Sequence, residues 1–228
     1  MPAPTGSRRL LLPALDEAAA VLDAVRADAA FHDAADRFVE IAHTALAAGG
    51  TLYSCGNGGG MCDAPHFAEE GTGRFRDDRR ALPAMTFSDP SHLTCIANDF
   101  GYEQVFARLV QAFAKPGDAL VVLSTSGNSP NVLAACRAGR ERGVPVVGLL
   151  GKGGGAMREL CDVALVVPRA TTSDRIQEIH IKVLHAVIEA VVLALLAGML
   201  IRTRWVPTAR FAPGITFTAK PLLEFGIV

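Results

Sequence analysis

The sequence predicts an α/β domain in which helices cover both faces of a parallel sheet. Short apolar runs recur between helical patterns, and they show no polar alternation, as strands buried on both faces require. Two of the runs also end in loops rich in glycine and hydroxyl residues, and open parallel sheets bind ligands at the carboxyl ends of their strands. A chain of 228 residues can bury such a sheet as one domain without disulfides or a structural metal.

Residues 14 to 48 are alanine-rich, with apolar positions at steps of three and four and no internal glycine or proline. They predict one long helix or two shorter ones, ended by Gly49 and Gly50. Strands are expected at 51 to 56, 81 to 88, 119 to 126, 145 to 151 and 163 to 168, so the sheet core covers about 51 to 168. A C-terminal helix follows over about 174 to 200. Its apolar run from Ala190 to Ile201 is about a dozen residues, short of the ~20 that span a bilayer, and predicts a buried or subunit-packing helix. These elements form one domain over 1 to 201. From 202 to 228 the periodicity is lost and Pro207, Pro213 and Pro221 predict an irregular tail.

Charge narrows the function. The net charge is −1, from 22 basic and 23 acidic residues interspersed, which offers no field for nucleic acid and no polybasic tract for a membrane surface. A small-molecule ligand is the remaining expectation. Cys55, Cys62, Cys95, Cys136 and Cys161 form no CxxC pair, which points to reduced thiols and a cytoplasmic location. The N-terminal apolar run, Leu10 to Leu15, is too short for a signal peptide and stops at Asp16.

The third strand runs into STSGNSPN, residues 124 to 131. Ser124, Thr125, Ser126 and Ser129 surround Gly127 just before a helix expected near Pro130, whose free amides and dipole favour an anion. The loop suits a phosphate, although the same residue types also build plain turns and N-caps. It is neither a Walker motif nor, with GNGGGM, a dinucleotide fingerprint. In the first loop, Gly58 to Gly60 permit close backbone approach and Asn57 can bond sugar hydroxyls. Asn98 and Asp99 read either as sugar ligands or as the cap of a helix starting near Tyr102.

His66 and Glu70 are four apart, and Gln177 and His185 eight apart, each pair on one face of an expected helix. They form an N/O set for zinc or a similar divalent ion, and glutamine, an uncommon ligand, leaves the metal unnamed. A packed core histidine and a solvated Glu69–Glu70 face are the plainer readings. A carboxylate beside a phosphosugar could move a carbon-bound proton, and a histidine could serve its oxygens.

The segments CGNGGGMCDAPHFAEEGTGRF, SDPSHLTCIANDFGYEQVF, LSTSGNSPNV, GLLGKGGG and DRIQEIHIKVLHAVIE, in this order, resemble the sedoheptulose 7-phosphate isomerase (phosphoheptose isomerase) family of the sugar isomerase (SIS) fold, over roughly residues 15 to 200. The resemblance implies a flavodoxin-like three-layer α/β/α sandwich with a five-stranded parallel sheet, in a homotetramer whose sites are shared between subunits. It implies conversion of D-sedoheptulose 7-phosphate to D-glycero-D-manno-heptose 7-phosphate through an enediol, the first step of nucleotide-activated heptose biosynthesis. By motif, His66, Glu70, Gln177 and His185 would hold one zinc ion (Zn2+) per subunit, with Glu70 and His185 also base and acid. Asn57, Gly58, Gly59, Glu70, Asn98, Asp99, Ser124, Thr125, Ser126, Ser129 and Gln177 fall on substrate-contacting positions, and Arg74 and Asp174 lie nearby.

Three features depart from the family pattern: Gly60 where a serine is usual, Pro65 directly before His66, and the segment after Ile201. A proline beyond the first turn can kink a helix, so a helix starting near Gly60 could misaim His66. The competing readings are a non-catalytic SIS protein similar to the replication-initiator-associating proteins, which acts on a protein partner, and an isomerase of another phosphosugar. Retention of Glu70, Gln177 and His185 favours the enzyme.

Overall fold

Apolar steps of three and four carry the chain through two N-terminal helices, not one. In a computed structural model, which describes the backbone of residues 7–205 and the side chains of residues 9–197, α1 spans Ser7–Ala27 and α2 spans Ala29–Ala47. The break is Asp28, extended at ψ 96°, whose carboxylate accepts from the Phe31 amide at 3.1 Å and caps α2. The first helix begins earlier than residue 14 because exposed Pro13 is carried within it.

Five strands follow: β1 (Leu52–Gly56), β2 (Ala84–Thr86), β3 (Ala119–Ser124), β4 (Val146–Leu150) and β5 (Val163–Val166). All pair in parallel, in the order β2-β1-β3-β4-β5. That order reverses between β1 and β3, and the crevice at such a switch point is where open α/β sheets take ligands. Gly56 pairs with Leu123, so the loops leaving β1 and β3 emerge side by side.

The helices between strands are α3 (Gly59–Thr72), α4 (Pro90–Phe100), α5 (Ala107–Phe113) and α6 (Pro130–Glu141), with α7 spanning Ser173–Trp205. Alternate residues of β3 feed two cores. Val121 and Leu123 join Phe38, Phe67, Ile176 and Leu184 on one face, while Leu120 and Val122 join Phe106, Val110 and Cys136 on the other. This is a three-layer sandwich whose core sits on both sides of the sheet, as continuous apolar strands demand.

One expectation changes. Asn98 and Asp99 do not cap a helix starting near Tyr102; they lie in the last turn of α4, which Gly101 ends at φ 86°, and only a single 3₁₀ turn follows. Ser173–Ala197 of α7 has the length and hydropathy of a membrane-crossing helix, although the expected uncharged run begins only after Glu189. Yet Ile176, Ile179, Val183, Leu184, Val187, Ile188 and Val191 are buried at steps of one, three and four, one face packed into the core. Residues 206–228, most of the expected tail, lie outside the described residues.

Candidate active site

Ser124 ends β3, and its backbone carbonyl and hydroxyl both accept from the Gly127 amide, the hydroxyl at 3.1 Å. The turn needs glycine at 127: φ is 65°, and a Cβ there would stand 1.9 Å from the Gly154 carbonyl oxygen. Ser129 takes the N-cap position of α6 without using its hydroxyl as a cap, and that hydroxyl lies 3.3 Å from Ser124 Oγ. The plain N-cap reading therefore does not account for Ser129. Ser124, Thr125 and Ser129 line a cleft of about 150 Å³ together with Asn57, Gly59 and Gly60.

Other loop residues are already engaged. Ser126 Oγ accepts from the Asn128 amide at 3.2 Å, stabilising the turn. Asn57 exchanges amide hydrogen bonds with Asn131 at 2.8 and 2.9 Å and accepts from Tyr102 Oη at 3.3 Å. Gly58 is the N-cap position of α3 at φ 53°. Asn98 and Asp99 are exposed and bond to each other at 2.8 Å; the structure does not bring them to the cleft, and Tyr102 is the link between their segment and Asn57. Arg74 is exposed, and Asp174 pairs with Arg175 at 3.5 Å.

Beyond Gly59 the cleft leads to α3 and α7. Despite Pro65 inside α3, His66 is not misaimed: its Nε2 lies 3.1 Å from His185 Nε2 and 3.3 Å from Glu70 Oε1, and His185 Nε2 is 3.4 Å from the same oxygen. A tetrahedral ion with bonds of about 2.0 Å separates its ligand atoms by roughly 3.3 Å, so these three donors already have the spacing of a zinc site. Glu70 Oε2 is buried with no partner among the described residues, an acceptor that a cation would satisfy. Glu69 Oε1, 3.1 Å from His66 Nδ1, leaves Nε2 of that ring as the lone-pair nitrogen. Together these features fit a divalent metal.

The fourth expected ligand stands apart from that trio. Gln177 donates from Nε2 to Asp63 Oδ1 at 2.6 Å, committing its amide nitrogen and leaving Oε1, the atom a cation would take. Asp63 was not anticipated, although it precedes His66 by three and Glu70 by seven and so shares their helical face. It is buried, and burial raises its carboxyl above the usual range, against the lowering influence of Gln177, His66 and His185. Ser173 and His180 were also missed. Ser173 accepts from Thr125 Oγ1 at 3.1 Å, and both residues line the cleft. Burial pushes the His180 imidazole down to about 4, so it stands there as a neutral wall, its Nε2 3.3 Å from the Leu150 carbonyl.

The arrangement sets one carboxylate against two imidazoles, a set that can shift protons. Residues 15–151 match the family model of the SIS domain. Over 178 residues the chain is 46% identical to the phosphoheptose isomerase of Cytophaga hutchinsonii, covering 78% of this chain and 93% of that protein. It is 49% identical to that of Proteus mirabilis over 177 residues, covering 78% and 92%. The structure of the phosphoheptose isomerase from Neisseria gonorrhoeae is similar at a TM-score of 0.76 and 34% identity, over 82% of this chain and 98% of that one.

Proposed function

The chain belongs to the phosphoheptose isomerases of the SIS-domain family, and on that premise we propose how its residues carry out an aldose–ketose isomerisation of sedoheptulose 7-phosphate. The product is D-glycero-D-manno-heptose 7-phosphate, the entry compound of nucleotide-activated heptose biosynthesis. The observation that carries the reading is the convergence of His66, Glu70 and His185 within 3.4 Å of one another.

The phosphate sits among the hydroxyls of Ser124, Thr125, Ser126 and Ser129 at the N-terminus of α6, where backbone amides and the helix dipole stabilise its charge. Asn57, Gly58, Gly59 and Gln177 contact the sugar. Glu70 takes a proton from C1 of the ketose, leaving the electron pair in a C1–C2 double bond, and returns that proton to C2 of the enediol. His185 carries a proton from the C1 oxygen to the C2 oxygen, so the ketone becomes a hydroxyl as the C1 alcohol becomes an aldehyde. His66, Glu70, Gln177 and His185 would hold one zinc ion per subunit, which would supply Lewis-acid stabilisation of negative charge on the sugar oxygens.

Assembly follows from surfaces left open. Leu10, Leu11, Leu12 and Leu15 of α1 are each more than half exposed, an apolar stripe that a second copy would cover. Asn98 and Asp99, exposed away from the cleft, reach substrate only if sites are shared between the subunits of a homotetramer. A cytoplasmic location suits the five unpaired cysteines.

The test is turnover of sedoheptulose 7-phosphate by purified protein before and after chelation, with zinc restored. Zinc-rescued turnover is expected. A folded, zinc-loaded protein without turnover would reject the substrate.

A further inference from the structure

An imidazole that binds a metal nearly always donates its other ring N–H to a carboxylate, a carbonyl or water, and that bond fixes the ring. His66 has such a partner in Glu69. His185 has none among the described residues, because both its polar contacts, to His66 and Glu70, use Nε2. What meets its ring is Phe75: the centroids are 6.1 Å apart and the planes inclined by 26°, within the range of offset stacking. The second aromatic contact is with His66, edge-on at 5.3 Å and 69°.

Phe75 stands in the irregular segment between α3 and β2, and that segment is tied down on both sides. Arg76 adopts φ 58°, a conformation non-glycine residues avoid. Its guanidinium pairs with Glu189, one turn past His185 on α7, and lies 5.4 Å from the centroid of the Phe75 ring. Further along, Arg79 donates to the backbone carbonyls of Glu70 and Gly71 at the end of α3. An ion pair between groups this exposed contributes little to stability, so a strained arginine held onto Glu189 is better explained by what it positions.

We propose that Phe75, latched by Arg76 to Glu189, is a positioning residue that sets the ring plane of His185 and aims its Nε2 at Glu70 and the metal. The inference rests on the reading of His185 as metal ligand and proton carrier. Phe75 takes the orienting place that a hydrogen-bond acceptor fills for His66.

The test compares Phe75→Leu, Phe75→Tyr and His185→Gln with the unaltered protein, by zinc affinity against a competing chelator, by the His185 ring-proton resonances of the metal-free protein, and by kcat and KM. Phe75→Leu should weaken zinc about tenfold, remove the ring-current shift from His185 and lower kcat with KM little changed; Phe75→Tyr should restore all three. A folded Phe75→Leu protein with unaltered zinc affinity and unmoved His185 resonances overturns the proposal. If Phe75→Leu does not fold, Arg76→Ala keeps the ring but removes the latch, and unaltered zinc affinity there overturns it equally. If His185→Gln binds zinc like the unaltered protein, the ligand reading itself falls; if only His185→Gln loses zinc, the role of Phe75 alone falls.

Discussion

Glu70 meets two demands with its two carboxylate oxygens. Oε1 faces both imidazoles, while Oε2 is buried without a partner among the described residues. Glu70→Gln keeps the shape and removes the basicity, so kcat should fall by about 10²- to 10⁴-fold while phosphosugar binding stays measurable by calorimetry. Near-normal turnover would remove Glu70 from the role of base. His180 gives a pH signature. Its imidazole is held at about 4 against 6.5, so between those values the unfolded chain binds the extra proton and stability falls as pH falls. Above pH 6.5 the effect vanishes; across the window it reaches about 3 kcal/mol. His180→Gln should flatten the acid side of a denaturation profile between pH 6.5 and 4. The sequence revealed Glu70 and His66 because helical spacing is local. Asp63 shares that spacing, but its significance lies in Gln177, a partner 114 residues away.

At the scale of elements, the site depends on how firmly α3 is held against the sheet. Phe67, on α3 between His66 and Glu70, is 2% exposed and meets Phe38 of α2 with ring centroids 6.1 Å apart. Phe67→Ala should cost about 3–5 kcal/mol, read as a lower denaturation midpoint, and should weaken zinc binding with it. Gly60 shows the same tightness: a Cβ there would lie 3.1 Å from the Leu123 Cβ and carbonyl oxygen, so a serine would need the end of β3 to yield slightly. Strands and cradle loops were legible in the sequence because burial on two faces and turn chemistry are written in adjacent residues. The end of α4 was not. Asn98 and Asp99 are cap-forming types, but they stand exposed in the last turn of α4, which runs on to Gly101. Pro65 signalled a break that the rest of α3 overrides.

For the whole molecule, the alternation of strands and helices announced a parallel sheet covered on both faces, whereas the strand order that sets the β1 and β3 loops side by side came only with the structure. The proposed assembly lies outside a single chain, and what supports it is the exposed apolar surface of α1. Leu15 is 54% exposed, and Leu15→Asp should leave the fold intact while shifting the protein to a smaller species by light scattering. An unchanged mass would place the subunit contacts elsewhere.

His66 and His185 touch across 119 residues of sequence, one on the helix after the first strand and the other on the last helix. A chain emerging from the ribosome therefore carries His66 and Glu70, half of the proposed metal donors, long before Gln177 and His185 exist. Until α7 docks, the unpartnered oxygens of Asp63 and Glu70 face water, and His66 has no second imidazole to share an ion with. With the proposed donor set, tight metal capture would have to wait until synthesis has passed His185, so holding zinc would itself be a sign that the domain has closed.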